Sequence, residues 1–261
     1  PDVPKHRGIS YFICPTDAEG LTMSPIIDMT TAHSFNECHF SDVRIPVSMR
    51  IGEEGDGWRL AKATLANERV NLSAGGSLWG SGPTAYTLLD LIRADGGLDD
   101  PLLRQKAAAL HIEAELLRLN RLRTLSSRLR GETPGPEASI QKIMSDEHGQ
   151  HVMALAKEVA GTSGMLTGSG PPGPVPPREG TGATENKLMV EYDHGVEPIW
   201  HYGFLFSPAL TVGGGTFAVQ RNIVAEMVLG LPREINVEKG LTWAQTRRRT
   251  AGAETRQGET Q

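Results

Sequence analysis

The chain has 261 residues, of which 38% are hydrophobic and 22% are charged, and its formal net charge is −5. This composition is typical of a globular protein, and no apolar run reaches the roughly 20 residues that a membrane-spanning helix needs. The acidic balance argues against a nucleic-acid-binding protein, because contacts with phosphates need a dense basic surface.

Two cysteines, Cys14 and Cys38, are too few for a disulfide framework, and no cysteines and histidines stand at the spacing of a zinc site. We therefore expect no metal and a reducing, cytoplasmic location. The chain begins with Pro1 inside a strand-like passage, and we expect it to be a fragment of a longer protein.

The first part of the chain has the pattern of strands. Residues 8–51 contain short apolar runs that are rich in aromatic and β-branched residues and are separated by Gly, Pro and Asp. This pattern predicts antiparallel strands. The strands are too few to close a domain, so we assign residues 1–52 to the C-terminal part of a β-domain.

Helical periodicity begins after the polar, glycine-rich turn at 52–57. Apolar residues recur at helical spacing from 58 to 93, and glycines inside this pattern indicate close packing or a nearby ligand. Asp100 followed by Pro101 predicts the start of a second helix, which ends near Arg130.

Three more helices are predicted, over 137–160, 198–206 and 217–229. Between the first two of these, GTSGMLTGSGPPGPVPPREGTGATEN is too rich in proline and glycine for regular structure and predicts a long surface loop. The predicted fold is α+β and mainly α, with the partial antiparallel β-domain followed by an antiparallel helical bundle over 53–234. Residues 235–261 are predicted to be a polar, disordered tail.

Residues 213–216, Gly-Gly-Gly-Thr, are the glycine turn, which directly precedes the last helix. Free amide groups and the helix dipole at such a place favour an anion such as a phosphate. The motif lacks the lysine of a Walker sequence, and glycine-rich turns also serve simply to start helices. The pattern leaves both interpretations open.

Glu68 is predicted to lie near the edge of the buried face of its helix. A carboxylate in an apolar pocket has a raised pKa and can accept a proton. The alternative is an exposed helical glutamate paired with Arg69, and the pattern by itself favours it. The histidines show no metal spacing and are interpreted as ordinary core or surface residues: His111, His148, His151 and His201.

Several segments in this order resemble one family: FSDVRIP, GEEGDGW, LANERV and TVGGGTFAVQRNIVAEMVLGLPRE. Over about residues 1–234 the chain resembles the acyl-CoA dehydrogenases, from the middle of their β-domain to their C-terminus. The last segment is the most specific, because family members carry Gln-Arg followed by a run that ends in Leu-Gly-Leu-Pro-Arg. The resemblance implies an enzyme that desaturates an acyl-CoA thioester with FAD: a glutamate removes the α-proton, and flavin N5 accepts the β-hydride.

The resemblance also implies which residues form the site. In many members the base is the first residue of Glu-Gly-Thr, a position that is Gly214 here. A subset similar to isovaleryl- and long-chain acyl-CoA dehydrogenases carries the glutamate on a neighbouring helix, just before an arginine, which implies Glu68 as the base. Arg69, Gly214 and Gly215 are then implied to bind the substrate, and the small Gly214 favours bulky or branched acyl groups.

The implied cofactor contacts are Thr216, which matches a threonine beside the flavin nucleotide, and Arg93 and Gln105. The last two fall near the arginine and glutamine through which this domain reaches the cofactor of a neighbouring subunit. The resemblance further implies electron-transfer flavoprotein as a partner and a homo- or heterotetramer.

Two alternatives remain at this stage. The chain is a non-catalytic, dehydrogenase-like subunit that completes the site of a paralogue, or it is a relative with other flavin chemistry, such as nitroalkane oxidation or oxygen-dependent hydroxylation. A glutamate at position 68, where an aspartate would be the base, disfavours nitroalkane oxidation.

Overall fold

The computed structural model of the protein describes residues 2–30, 32, 35–72, 77–80, 82–132, 135–165 and 198–247. The chain divides into two compact units. The first contains Pro1–Ser24, Glu37–Asn67 and Pro232–Gln261, and the second contains Pro25–Asn36 and Glu68–Leu231. Most of the predicted proline- and glycine-rich loop lies outside the described residues. The predicted domain boundaries near residues 52 and 234 stay predictions.

The strands form two small two-stranded sheets, one from β1 and β4 and the other from β2 and β3. In the antiparallel β1–β4 pair, Tyr11 stands opposite Ile51 and Phe12 opposite Arg50. The short strands predicted within residues 8–51 are therefore present. Their bounds are Tyr11–Phe12 for β1, Leu21–Ile26 for β2, Phe35–Phe40 for β3 and Arg50–Ile51 for β4.

Helices account for most of the remaining described residues. Four of the six, α3 to α6, follow the predicted segments closely, whereas α1 and α2 divide one predicted segment between them. This confirms the mainly helical fold, and no helix among the described residues is both long and apolar enough to cross a bilayer. The last helix continues as a π-helix over Val224–Val228. The bounds are Gly57–Leu72 for α1, Ala85–Ala94 for α2, Pro101–Leu129 for α3, Ala138–Ala160 for α4, Pro198–Phe206 for α5 and Phe217–Ile223 for α6.

Capping residues explain where two of the helices begin. The carboxylate of Asp100 accepts hydrogen bonds from the amides of Leu102 at 2.8 Å and Leu103 at 3.4 Å, as the sequence predicted. Thr84 forms a reciprocal capping box with Thr87 at the start of α2. This cap divides the helical pattern of residues 58–93 into two separate helices.

The core of the second unit forms around α4. Val152 and Met153 of α4 are fully buried, and α2 and α5 contribute side chains such as Ile92 and Phe206 to the same cluster. Helix α3 presents one face to this core. The buried residues of that face are three or four positions apart, as in one stripe of a helix: Ala107, Leu110, Ala114 and Leu117.

Part of the predicted tail is folded within the first unit. Thr242 forms a β-bridge with Pro4, and the amide of Trp243 donates to the carbonyl of Val3 at 3.1 Å. At Thr242 and Trp243, pairing with the N-terminal backbone satisfies hydrogen bonds that composition does not reveal, and the predicted extent of the disordered tail stays a prediction. Residues 248–261 lie outside the described part of the chain.

Candidate functional site

The glycine turn lies between a 3-10 segment, Ser207–Thr211, and helix α6. Gly214 has a φ of 68° and Gly215 a φ of 96°, which is the left-handed region that glycine adopts without strain. The Oγ1 atom of Thr216 accepts a hydrogen bond from the amide of Val219 at 3.4 Å and caps α6. The turn therefore does start a helix, as one of the two interpretations predicted.

Gln220 holds the glycine turn from its downstream side. Its side chain is 1% exposed, and Nε2 donates to the carbonyls of Gly214 at 2.9 Å and Gly215 at 3.4 Å. A Cβ on Gly215 would stand 2.5 Å from this nitrogen, so a side chain at position 215 would displace the amide of Gln220. The other amide atom, Oε1, is buried and has no hydrogen-bond partner among the described residues.

Trp79 packs against the start of the same turn. A Cβ on Gly213 would stand 2.4 Å from the indole ring, and the ring meets Phe206 edge to face at 5.2 Å between centroids. Trp79 has a φ of 46°, which is rare for a residue with a side chain, and its Nε1 is buried without a partner within the described residues. Buried polar atoms are normally hydrogen-bonded, so a donor at Trp79 and an acceptor at Gln220 suit a polar ligand at this turn.

Lys142 of α4 reaches the upstream side of the glycine turn. It is fully buried, its Nζ donates to the carbonyl of Leu210 at 2.9 Å, and it forms an ion pair with Asp146 one helical turn along α4. Burial raises the pKa of Asp146 to about 6, because the loss of hydration outweighs the attraction of the lysine. Leu210 stands three residues before Gly213, so this ion pair is joined to the turn through the backbone.

Glu68 is exposed on α1. The face of α1 that was predicted to be buried is open in the described part of the chain, since Trp58 is 38% and Leu65 is 49% exposed. The apolar pocket that the sequence suggested around Glu68 is therefore not formed by the described residues of this chain. The side chain of Arg69 lies outside the described part.

The two other predicted cofactor residues are exposed as well. Arg93 lies at the end of α2 and pairs with Asp90 at 2.6 Å between Nη1 and Oδ1, while Gln105 lies on the first turns of α3. Within the described ranges, no hydrogen bond or ion pair joins either side chain to the glycine turn. The structure thus brings Gly214, Gly215 and Thr216 together and leaves Arg93 and Gln105 facing outward.

A carboxylate with two histidines lies between α3 and α4. Glu113 accepts from Nδ1 of His148 and from Nδ1 of His151, each at 2.9 Å. Burial acts to raise the pKa of Glu113, but the hydrogen bonds and charges of the two imidazoles outweigh it and hold the pKa below its usual value. No metal-binding group is found among the described residues. These histidines link two helices, in agreement with their interpretation as ordinary residues.

Comparison with known proteins identifies the family. A model described as "Acyl-CoA dehydrogenase, C-terminal domain" matches residues 55–229, a span that contains α1 to α6 and the glycine turn. The chain belongs to the acyl-CoA dehydrogenase family. This confirms the resemblance found in the sequence, whereas the subgroup with its base at Glu68 stays a prediction.

Similar members of the family include proteins of Mycobacterium tuberculosis. Acyl-CoA dehydrogenase FadE26 of Mycobacterium tuberculosis is 33% identical over 235 residues, which are 88% of this chain and 53% of the relative. The solved structure named "Tcur3481-Tcur3483 steroid ACAD" is 28% identical with a TM-score of 0.70, covering 90% of this chain and 55% of that one. The ChsE4-ChsE5 complex from Mycobacterium tuberculosis is 31% identical with a TM-score of 0.66, covering 88% and 55%. The chain spans about half the length of these relatives.

Four side chains at the turn escaped the sequence analysis as functional candidates: Trp79, Lys142, Asp146 and Gln220. Lys142 and Asp146 are four residues apart, a spacing that also occurs in solvent-exposed ion pairs on helices. Gln220 entered the sequence analysis only as part of the Gln-Arg motif of the family, without a role at the turn. No signal in the sequence singles out Lys142, because its neighbours on the same face of α4 include the polar residues Ser139 and Asp146.

The raised pKa of Asp146 predicts a pH-dependent contribution to stability. A carboxyl group whose pKa rises on folding, here from 3.8 to about 6, contributes stability that is present below its unfolded pKa and is lost as the pH rises through its folded pKa. The free energy of unfolding is measured with denaturant for wild type and Asp146→Asn. Between about pH 4 and pH 7, the wild type should lose on the order of 3 kcal/mol of this free energy relative to Asp146→Asn.

The matched control for this experiment is Glu158→Gln, since Glu158 is 55% exposed in its ion pair with Lys106. The control should show little pH-dependent difference from wild type. A difference between wild type and Asp146→Asn that stays constant across this range would contradict the prediction.

Proposed function

We propose that the complete protein is an FAD-dependent acyl-CoA dehydrogenase that forms an α,β double bond in an acyl-CoA thioester. The observation that carries this proposal is the family match over residues 55–229, which includes the exposed Glu68 carboxylate and the glycine turn. The two buried, unpartnered polar atoms of Trp79 and Gln220 at that turn are compatible with a bound polar cofactor.

Each residue has a defined part in the proposed reaction. Glu68 accepts the α-proton on its carboxylate, and the electron pair of the α C–H bond becomes the new double bond. The β-hydrogen leaves as a hydride, with the electron pair of the β C–H bond. Bound FAD supplies the acceptor for this hydride. Gly214 leaves space beside the reacting carbons, the backbone of Gly215 lies beside the substrate, and Arg69 lies next to the base in the sequence. Thr216 is exposed, and within the described ranges its hydroxyl accepts only the capping hydrogen bond from Val219 at 3.4 Å, so it is available to the flavin nucleotide.

The proposed substrate is a thioester with a bulky, polycyclic acyl group. The support comes from a relative named as a steroid acyl-CoA dehydrogenase, at 28% identity. It also comes from Gly214, where many members carry the glutamate base and this chain has no side chain. With no side chain at this position, more volume is available near the α- and β-carbons.

We also propose an oligomer that works with electron-transfer flavoprotein in the cytoplasm. Helix α3 exposes an apolar face on the side opposite its core face, through Ile112, Leu116 and Leu119. Such a face suits a subunit interface. The outward-facing Arg93 and Gln105 are available to the cofactor of a neighbouring subunit.

A second candidate function is a non-catalytic subunit of a hetero-oligomeric dehydrogenase. Two of the similar solved structures are named for pairs of proteins, Tcur3481-Tcur3483 and ChsE4-ChsE5. The glycine at position 214 and the open environment of Glu68 also favour it. A complete protein that turns over thioesters only when a second dehydrogenase chain is present, with Glu68→Gln equally active in that mixture, would support this candidate instead.

The role of Glu68 can be tested by substitution. Glu68→Gln should reduce flavin reduction by a thioester about 10²- to 10⁴-fold, because an amide cannot accept the α-proton. The measurement is anaerobic stopped-flow absorbance of the complete, FAD-loaded protein. Glu54→Gln is the control, since Glu54 is 88% exposed, and it should react at the wild-type rate. A Glu68→Gln rate close to that of wild type would rule out this residue as the base.

The substrate class can be tested with two thioesters. A steroid side-chain CoA thioester should give a kcat/KM at least about tenfold above that of octanoyl-CoA, because a site open at Gly214 leaves a small chain poorly packed and its apolar surface incompletely buried. Equal values for the two thioesters would contradict the proposed preference for bulky acyl groups.

A further inference from the structure

We propose that Lys142 and Asp146 are positioning residues for the glycine turn. Their buried ion pair on α4 holds the carbonyl of Leu210 and thereby fixes the backbone that leads into residues 213–216. This inference deepens the proposed function, on which it rests for the identity of what the turn binds, a flavin and an acyl thioester.

The burial of this ion pair calls for an explanation beyond stability. Lys142 is fully buried and Asp146 is 3% exposed. Burying two charges removes their hydration, and well-packed apolar residues in place of such a pair are often neutral or stabilising. A lysine that also donates to the Leu210 carbonyl at 2.9 Å makes a directional contact that an apolar side chain cannot make.

Helix α4 approaches Leu210 closely at a second point. A Cβ on Gly149 would stand 2.7 Å from Cδ1 of Leu210 and 2.1 Å from the carbonyl oxygen of Ser77. Leu210 is itself 1% exposed. The 3-10 segment before the turn is therefore held on α4 by packing at Gly149 and by a charge-assisted hydrogen bond at Lys142.

The turn needs such support because it has few contacts of its own. The amides of Val212 and Gly213 donate to the carbonyl of Ala209, at 3.0 and 3.1 Å. Gly213 is the first of three consecutive glycines, and glycine has the largest conformational freedom of any residue. Gln220 fixes the carbonyls of Gly214 and Gly215 from the downstream side. On the upstream side Trp79 packs against Gly213, and Lys142 adds a hydrogen bond to the carbonyl of Leu210.

The consequence is a remote effect on the site. Without the contact between Lys142 and Leu210, the backbone at Gly214, Gly215 and Thr216 should sample more conformations, although none of these residues is changed. Among the described residues, the hydrogen bonds of the ion pair run between Lys142 and Asp146 and from Lys142 to Leu210, so the pair acts on the glycine turn through Leu210 and carries out no chemistry.

The test separates positioning from stability with the double variant Lys142→Met, Asp146→Leu. A single substitution at Lys142 would leave a buried, unpaired carboxylate and would destabilise the whole unit. The double variant removes both charges, retains an apolar core and lacks the donor to Leu210. The matched control is Lys106→Met, which removes a lysine from the exposed ion pair between Lys106 of α3 and Glu158 of α4.

Two measurements on the complete protein decide the question. Hydrogen exchange at the amides of residues 212–216 should be at least about tenfold faster in the double variant, with exchange in α2 and α4 and the denaturation midpoint close to wild type. The dissociation constant of FAD should rise at least about tenfold, because Thr216 is displaced. Lys106→Met should match wild type in both measurements.

Three results would overturn the proposal. The first is unchanged exchange in the turn of a folded double variant, and the second is acceleration that extends equally through α2 and α4. If Lys142→Met, Asp146→Leu does not fold, another double variant, Lys142→Met, Asp146→Asn, replaces it. The third contradicting result is that neither double variant folds, which would make the ion pair purely structural. Because exchange requires no turnover, it decides this proposal even if no thioester reduces the wild-type protein, a result that would count against the proposed function alone.

Discussion

The structure of the candidate site depends on how three consecutive glycines are held in one conformation. The glycine turn has no side chain before Thr216 that could anchor it, so hydrogen bonds to its carbonyls and to the segment before it must do so. Gln220 provides these contacts from α6, and Lys142 provides them from α4 through Leu210. Because both side chains are buried, the turn is connected directly to the core of the second unit.

Helix α4 is the element that joins this site to the rest of the unit. Its apolar residues, such as Val152 and Met153, are buried among α2, α3 and α5, while several of its polar residues bind neighbouring segments. Lys142 reaches toward the turn, and His148 and His151 bind Glu113 of α3. Packing sets the position of the helix, and these polar contacts determine which neighbouring backbone and side chains it holds.

Local signals in the sequence were sufficient for most of the helices. The start of α3 follows from Asp100 and Pro101, because a carboxylate at an N-cap and a proline at the first helical position act within one turn. The glycine turn, its helix and the family followed from a contiguous motif. The break between α1 and α2 was missed, because the capping box at Thr84 has no acidic residue and its two partners are both threonines.

The contacts that were not predicted depend on distant parts of the chain. Lys142 and Asp146 have the spacing of a surface ion pair, and only the packing of α4 against residues 207–211 shows that they are buried. The segment after residue 234 has a polar composition, yet Thr242 and Trp243 pair with the N-terminal backbone. Glu68 is exposed, which is the alternative that the pattern of α1 favoured. The open apolar face around Trp58 and Leu65 could not be inferred, because periodicity shows which face is apolar and does not show what covers it.

The most direct test of the proposed activity is an absorbance spectrum of the complete protein, recorded before and after anaerobic addition of acyl-CoA thioesters. If the protein is an acyl-CoA dehydrogenase, it carries a yellow flavin chromophore, and a suitable thioester bleaches its long-wavelength band. A colourless protein, or a yellow one whose band no thioester bleaches, would contradict the assignment of a catalytic dehydrogenase and favour the non-catalytic subunit.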